Sequence, residues 1–267
     1  MRGIKRTVSF IAALDISFVG LLVLSSLLTG IASDILYYTA FLAPILLGFW
    51  AIRYQGGVQG GTTVSDTLSF SAPLIFPTVT TVCTLAAVSS FLLGLLGFEH
   101  RVTFDIPFWE AAVLHALIPA VLEEMLFRFI PITLLRKENA SAGYVLIFTS
   151  ITFSLAHTSL YSIPYAFLAG AVFAFTFMAT GSVLPSVLVH LINNFVSLLT
   201  VYYDFDFWVY LALAFLSLIS VIVVFWRRSI YITKAKELFS QKSELYITAP
   251  AVAFIAICSV LSILTLS

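Results

Sequence analysis

The stretch VLEEMLFR, residues 121–128, places three ionisable side chains inside an otherwise apolar run. Glu124 and Arg128 are four positions apart, so on a helix they share one face and can form an ion pair. Glu123 is rotated by about 100° around the helix axis and has no basic partner on its own face. The spacing therefore predicts that one carboxylate is neutralised and that the other is available as a general base.

Further groups able to do acid–base chemistry occur in two later apolar runs. His157 ends the motif FSLAH, and His190 and Asn194 lie four positions apart in HLINN. An imidazole can accept or donate a proton, and an amide can donate a hydrogen bond. We expect the three segments to converge on one polar cavity.

The composition predicts where these groups must lie. Of the 267 residues, 61% are hydrophobic and 10% are charged, with a mean hydropathy of +1.08. Soluble domains are about a quarter charged, so the chain is predicted to be a single integral membrane domain over 1–267. Its long continuous apolar runs predict helices. The zero net charge and the lack of a basic patch argue against nucleic acid as a partner.

The predicted fold is an all-α, polytopic transmembrane bundle of about eight to nine spans. Each span is expected to need about 20 residues. The candidate ranges are 8–29, 35–53, 70–98, 107–135, 143–161, 164–180, 183–203, 207–226 and 246–266.

The basic residues predict the orientation of these spans, because lysine and arginine accumulate on the cytoplasmic side. With nine spans and a cytoplasmic N-terminus, only Arg101 falls on the outer side, and Arg128 lies within a span. The predicted cytoplasmic residues are Arg2, Lys5, Arg6, Arg53, Arg136, Lys137, Arg227, Arg228, Lys234, Lys236 and Lys242. Glu124 lies twelve positions before Arg136, or ~18 Å along a helix. A charge at such depth costs about 2.5–3.5 kcal/mol and indicates a functional site.

The order of the motifs resembles a known family. Glu-Glu-x-x-x-Arg, then Phe-x-x-x-His, then His-x-x-x-Asn is similar to the intramembrane CAAX-protease and bacteriocin-processing (CPBP, Rce1-like) family. Its eukaryotic members are the type 2 CAAX prenyl endopeptidases. The resemblance covers an expected catalytic core at 107–200. Phe129 departs from the glycine that many prokaryotic members have after the arginine.

The resemblance implies an intramembrane endopeptidase that acts near the cytoplasmic side of the membrane. Glu123 and His157 would activate a water, His190 and Asn194 would form an oxyanion hole, and Glu124 with Arg128 would support Glu123. No cofactor is required on this interpretation. Zinc stays an alternative, and its ligands would then be Glu123, His157 and His190.

The resemblance leaves the substrate open between a prenylated CAAX C-terminus, a leader peptide and a membrane-protein segment. The implied partners are a peptide or prenylated protein and membrane lipid. The location is the cell membrane of a prokaryote or the endoplasmic reticulum of a eukaryote.

Two other function classes stay open from the residues. A proton-coupled transporter also places Glu, His and Asn in mid-membrane, although it usually shows inverted repeats, and none is visible here. A non-catalytic scaffold or immunity protein could keep the same fold, but its motif residues should then have decayed.

Overall fold

The computed structural model describes residues 2–56, 64–97, 105–203, 207–240 and 244–264. Within these residues the chain is helical and has no strand. Three long helices come first: α1 (Arg2–Ser26), α2 (Ile31–Tyr54) and α3 (Val64–Leu95). The all-α fold class predicted from the sequence is thus confirmed.

One continuous helical run from 108 to 137, which we call the motif helix, carries the two adjacent glutamates. It consists of α4 (Phe108–Ala111), a π-helical segment π1 (Ala112–Leu117), α5 (Ile118–Glu124), a second segment π2 (Met125–Phe129) and α6 (Ile130–Lys137).

The π segments have a common cause in the sequence. Pro119 and Pro131 each lie at the start of the α-helix that follows a π segment. Proline lacks the N–H that an α-helix requires. Just before each proline the backbone hydrogen bonds change from the α-helical i→i−4 pattern to the π-helical i→i−5 pattern. In π1, for example, the Ile118 N–H donates to the Val113 carbonyl, five residues back. Such π-bulges are frequent at functional sites, and here they flank the α5 segment that carries Glu123 and Glu124.

The remaining helices complete the bundle. They are α7 (Ala142–Ala156), α8 (Ile163–Thr180), α9 (Leu184–Tyr202), α10 (Phe207–Trp226), α11 (Arg228–Leu238) and α12 (Ala249–Leu264). Each range predicted as a span overlaps one helix or the motif helix. By length and hydropathy, four helices among the described residues qualify as spans, and five do if the bent 211–226 and 228–238 pair counts as one. The protein is an integral membrane protein, but the predicted count of eight to nine spans is not confirmed.

Contacts between chain segments define one end of the bundle, which we call the basic end. Lys137 Nζ donates to the carbonyls of Ile52 and Gln55, both at 3.3 Å. Gly3 lies against the Glu138 carboxylate, which places the N-terminus there as well. Leu238 of α11 lies beside Arg136. The predicted cytoplasmic residues in these segments therefore gather at one end, whereas Arg101 and Lys242 lie outside the described residues.

The packing of α2 against α6 depends on a glycine. A Cβ added at Gly48 would lie 2.5–2.8 Å from three side-chain atoms of Ile130. Ile130 is fully buried, and its β-branched side chain has few alternative rotamers. The small residue thus lets α2 approach the motif helix closely, as is common between membrane helices.

We expect Gly48→Ala to lower the free energy of unfolding by about 1–3 kcal/mol, the usual cost of overpacking. The matched control is Gly20→Ala in α1, where an added Cβ meets nothing within 4 Å. The measurement is thermal unfolding of the detergent-solubilised protein. Equal melting temperatures for the two variants would contradict this account of the α2–α6 contact.

Candidate active site

The centre of the site is a buried ion pair. Arg128 Nη1 lies 3.2 Å from Glu124 Oε1, and both side chains have 0% exposure. Arg128 Nη1 makes no hydrogen bond to this oxygen. The attraction between the two groups is therefore electrostatic. Arg128 Cζ also lies 3.8 Å from the ring centroid of Phe153 and 5.3 Å from that of Phe173. The pair predicted from the four-residue spacing is therefore present, with aromatic faces replacing water around the cation.

His190 connects this pair to the second glutamate. Its Nδ1 lies 2.9 Å from Glu124 Oε1, and its Nε2 lies 3.7 Å from Glu123 Oε2. An ionised carboxylate can only accept hydrogen bonds, so the proton in the contact between His190 and Glu124 is on Nδ1 of His190. The ring stacks on Phe173, with centroids 4.8 Å apart and an interplanar angle of 21°. His190 is thus held with its second nitrogen toward Glu123.

The two adjacent glutamates differ in their environment. Glu124 has no exposure, whereas the Glu123 side chain is 17% exposed. Glu123 Oε2 has no hydrogen-bond partner within the described part of the chain. One carboxylate therefore belongs to the closed ion cluster, and its neighbour lines the cavity.

His157 caps the end of α7. Its Nδ1 lies 2.9 Å from the Phe153 carbonyl oxygen, one turn back. A carbonyl oxygen only accepts, so Nδ1 is the protonated nitrogen. In the neutral ring Nε2 then keeps its lone pair, which is the form a general base needs.

Asn193 is a site residue that the sequence reasoning missed. It is 8% exposed and lines the cavity together with Asn194. Its Nδ2 donates to Asn194 Oδ1 across 3.5 Å, so that it orients the neighbouring amide. The signal was the doubled asparagine in HLINN, because positions three and four after His190 lie on the same side of a helix.

These side chains line one cavity of about 330 Å³. Glu123, His157, His190 and Asn194 are all on its wall, together with His115, Pro119, Phe153, Tyr165, Ala166, Ala169, Phe173, Asn193, Ser197, Leu198 and Val201. The predicted site residues thus come together in two sets. Four of them surround the cavity, whereas Glu124 and Arg128 lie behind its wall.

Gly170 of α8 allows the ion cluster to close. A Cβ there would lie 3.0 Å from Arg128 Nη2, 3.2 Å from Phe153 Cδ1 and 3.3 Å from Ser150 Cα. The first two distances involve the guanidinium and the ring that covers it. This close approach is a second feature that the motifs did not predict.

The three side chains suggested as zinc ligands, Glu123, His157 and His190, all line the cavity. In the parts of the chain that are described, no three His, Cys, Asp or Glu side chains are grouped so that they could hold a metal ion. His190 contacts Glu124 through Nδ1, and its Nε2 lies 3.7 Å from Glu123 Oε2. The cavity wall also carries the amides of Asn193 and Asn194, which are poor zinc ligands.

The motif helix and its partners match a known family. The family model described as "Type II CAAX prenyl endopeptidase Rce1-like" matches residues 105–196. This segment is similar to the Rce1-like endopeptidases. The match spans about a third of the chain and contains every predicted site residue, so the resemblance noted in the sequence is confirmed for this segment. Comparison with curated proteins gave no match, and comparison with solved structures gave none either.

Arg128→Ala should impair both stability and activity, because it leaves the Glu124 carboxylate buried without its cation. Breaking a buried pair from one side costs about 3–5 kcal/mol. Arg228→Ala is the matched control, since Arg228 also lies over an aromatic ring, Phe225, but is exposed at the basic end. The measurements are the yield of folded protein in detergent and its melting temperature. If Arg128→Ala lowered the yield and melting temperature no more than Arg228→Ala does, the predicted stabilising role of the Glu124–Arg128 pair would be wrong.

Proposed function

We propose that this protein is an intramembrane endopeptidase in which Glu123 and His157 activate a water for attack on a peptide bond. The match to the Rce1-like endopeptidases supports a CAAX-type intramembrane protease in general. The observation that carries the assignment of residues is the cavity, which joins two general bases to two hydrogen-bond donors beside a neutralised ion pair.

The proposed chemistry begins at Glu123. Its carboxylate takes a proton from water while the water oxygen bonds to the carbonyl carbon, and the carbonyl π electrons move onto the oxygen. Collapse of this intermediate breaks the C–N bond, and the proton held by Glu123 passes to the leaving nitrogen. His157, with Nδ1 tied to the Phe153 carbonyl, uses Nε2 to orient the same water.

His190 and Asn194 have the proposed role of stabilising the oxyanion. Because Nδ1 of His190 already donates to Glu124, a donor at Nε2 requires the imidazolium form. In that form the charges of the site cancel, since the two carboxylates are matched by a guanidinium and an imidazolium. Donors fixed in place before the reaction usually supply the largest share of such stabilisation. Asn193 helps to hold the Asn194 amide in position.

The substrate on this proposal is a peptide or a protein segment at the membrane. A prenylated CAAX C-terminus, a leader peptide and a segment of a membrane protein all supply the peptide bond that the residues act on. Membrane lipid surrounds the bundle but has no proposed role in the chemistry.

We expect Glu123→Gln to abolish cleavage while the yield and melting temperature of the protein stay close to those of the unmodified chain. The amide keeps the shape of the side chain and cannot accept the proton. Asn194→Ala should slow the chemical step by about 10²–10³-fold, as for loss of one oxyanion donor. The measurement is single-turnover cleavage of a membrane-tethered reporter peptide.

Glu110→Gln is the matched control for Glu123→Gln, since Glu110 lies on the same helix but not on the cavity wall. It should cleave at the normal rate. Normal turnover by Glu123→Gln would reject this residue as the base.

A separate prediction concerns metal. We propose that the purified protein cleaves its substrate without stoichiometric metal, because His190 is accompanied one turn later by Asn194, whose amide is a poor zinc ligand and a good oxyanion donor. The Arg128 guanidinium would also repel a divalent cation placed between the glutamates.

The measurement is metal content by mass spectrometry, together with activity after dialysis against a strong chelator. We expect less than one metal ion per chain and retained activity. One zinc per chain, with activity that chelation removes and zinc restores, would overturn this proposal. It would also make His157 and His190 ligands.

A further inference from the structure

The cavity is asymmetric along the motif helix. Its deepest polar wall is formed by Glu123 and His190, at the middle of the motif helix and in the first half of α9. From there it extends to His115, eight positions earlier, or about 12 Å toward the start of the motif helix. His115 is exposed and Val201, near the end of α9, is 41% exposed. Among the described residues, the exposed part of the cavity lining therefore lies toward the start of the motif helix.

The opposite direction is closed. Glu124 and Arg128 are fully buried directly behind the polar wall. Between them and the basic end lie Ile130, Leu134 and Leu135, which are also fully buried or nearly so. Among the described residues of the motif helix, no position after Glu123 lines the cavity. A substrate approaching from the basic end would have to cross this packed layer.

The other helices place the mouth at the same end. His157 follows the last residue of α7, and Tyr165 lies in the first turn of α8, so the α7–α8 connection borders the opening. Tyr202, one residue after Val201, donates to the Ile106 carbonyl at 2.7 Å, next to the start of the motif helix. The mouth is thus at the end where the motif helix begins, and the basic end is where it finishes at Lys137.

The charge distribution assigns these ends to sides of the membrane. Lysine and arginine in short connections mark the cytoplasmic side, and the basic end carries Arg53, Arg136, Lys137 and the residues of α11. The open end lies on the other side. The orientation predicted from the sequence and the expected cleavage near the cytoplasmic side are therefore in conflict.

We infer that the proposed protease takes its substrate from the non-cytoplasmic side, so that it cleaves an exported peptide or an outward-facing segment of a membrane protein. This inference rests on the proposed function and narrows its substrate class. A CAAX C-terminus prenylated in the cytoplasm would meet the closed, basic end of the bundle. Lipidation is then not needed for recognition.

The first test labels cysteines in intact cells with a membrane-impermeant maleimide. The background carries Cys83→Ala and Cys258→Ala, the two native cysteines. Val201→Cys reports the mouth of the cavity, and Ser240→Cys reports the basic end. We expect Val201→Cys to react from outside and Ser240→Cys to react only after permeabilisation. The reverse pattern would overturn the inference.

The second test measures cleavage on each side of the membrane. The probes are a quenched fluorescent library of unmodified peptides and a farnesylated CAAX peptide, added to right-side-out vesicles, to inverted vesicles and to protein in detergent. We expect cleavage of unmodified peptides in detergent and in right-side-out vesicles, with at least tenfold less in inverted ones. The Glu123→Gln protein measures background proteolysis.

The outcomes separate the two proposals. Cleavage in detergent and in inverted vesicles only, or cleavage of the farnesylated peptide alone, would overturn the inference and leave the protease function standing. Absence of cleavage of both probes in detergent would overturn the protease function, and the substrate class inferred from it would fall with it.

Discussion

The structure depends on keeping a guanidinium and two carboxylates inside a membrane bundle. Each charge alone would be costly in lipid, and the chain meets this cost by closing Arg128, Glu124 and His190 into one cluster. The cluster draws on four segments, because Phe153 of α7 and Phe173 of α8 cover the guanidinium while α9 supplies the imidazole. A buried pair of this kind contributes little net stability compared with an apolar core. Its effect is to fix the rotation and depth of the helices relative to one another, since any shift would leave a charge without its partner.

The same cluster separates a closed half of the bundle from a polar one. Glu123 and Glu124 are neighbours in sequence, yet the turn of the helix directs one toward the cavity and the other toward arginine. The buried glutamate, Glu124, fixes His190, and Nε2 of His190 in turn lies near the partly exposed glutamate, Glu123. Gly170 brings α8 close enough to complete the cover over Arg128. A carboxylate on the cavity wall is thus held in place by an adjacent carboxylate that is buried in the ion cluster.

Much of this could be predicted from sequence, where the signal was local. Composition predicted a helical membrane protein, and the four-residue spacing of Glu124 and Arg128 predicted their pair. The order of the three motifs predicted the Rce1-like resemblance.

The remaining features depend on how the helices pack against one another. No sequence pattern indicates that His190 contacts Glu124, 66 positions away, or that Gly170 lies against Arg128. The π segments also escaped the sequence analysis, because a proline indicates a disturbed helix but not the form of the disturbance. The number of spans was difficult for another reason: α7 and α12 are apolar but shorter than the roughly 20 residues that a full crossing needs.

The closed half of the bundle also bears on the transporter alternative. A transporter must expose its central site to each side of the membrane in turn, which usually occurs by movement of one helical repeat against another. In this protein, opening toward the basic end would require separating α9 and α8 from the motif helix, and so parting His190 and the aromatic cover from the Glu124–Arg128 pair. Leaving such charges without partners costs about 3–5 kcal/mol, which would keep the opened state below ~1% of the population at equilibrium. A hydrolase has no need for that second opening, because water and peptide can enter and leave by the same mouth. The buried cluster is therefore better suited to fixed catalytic geometry than to alternating access.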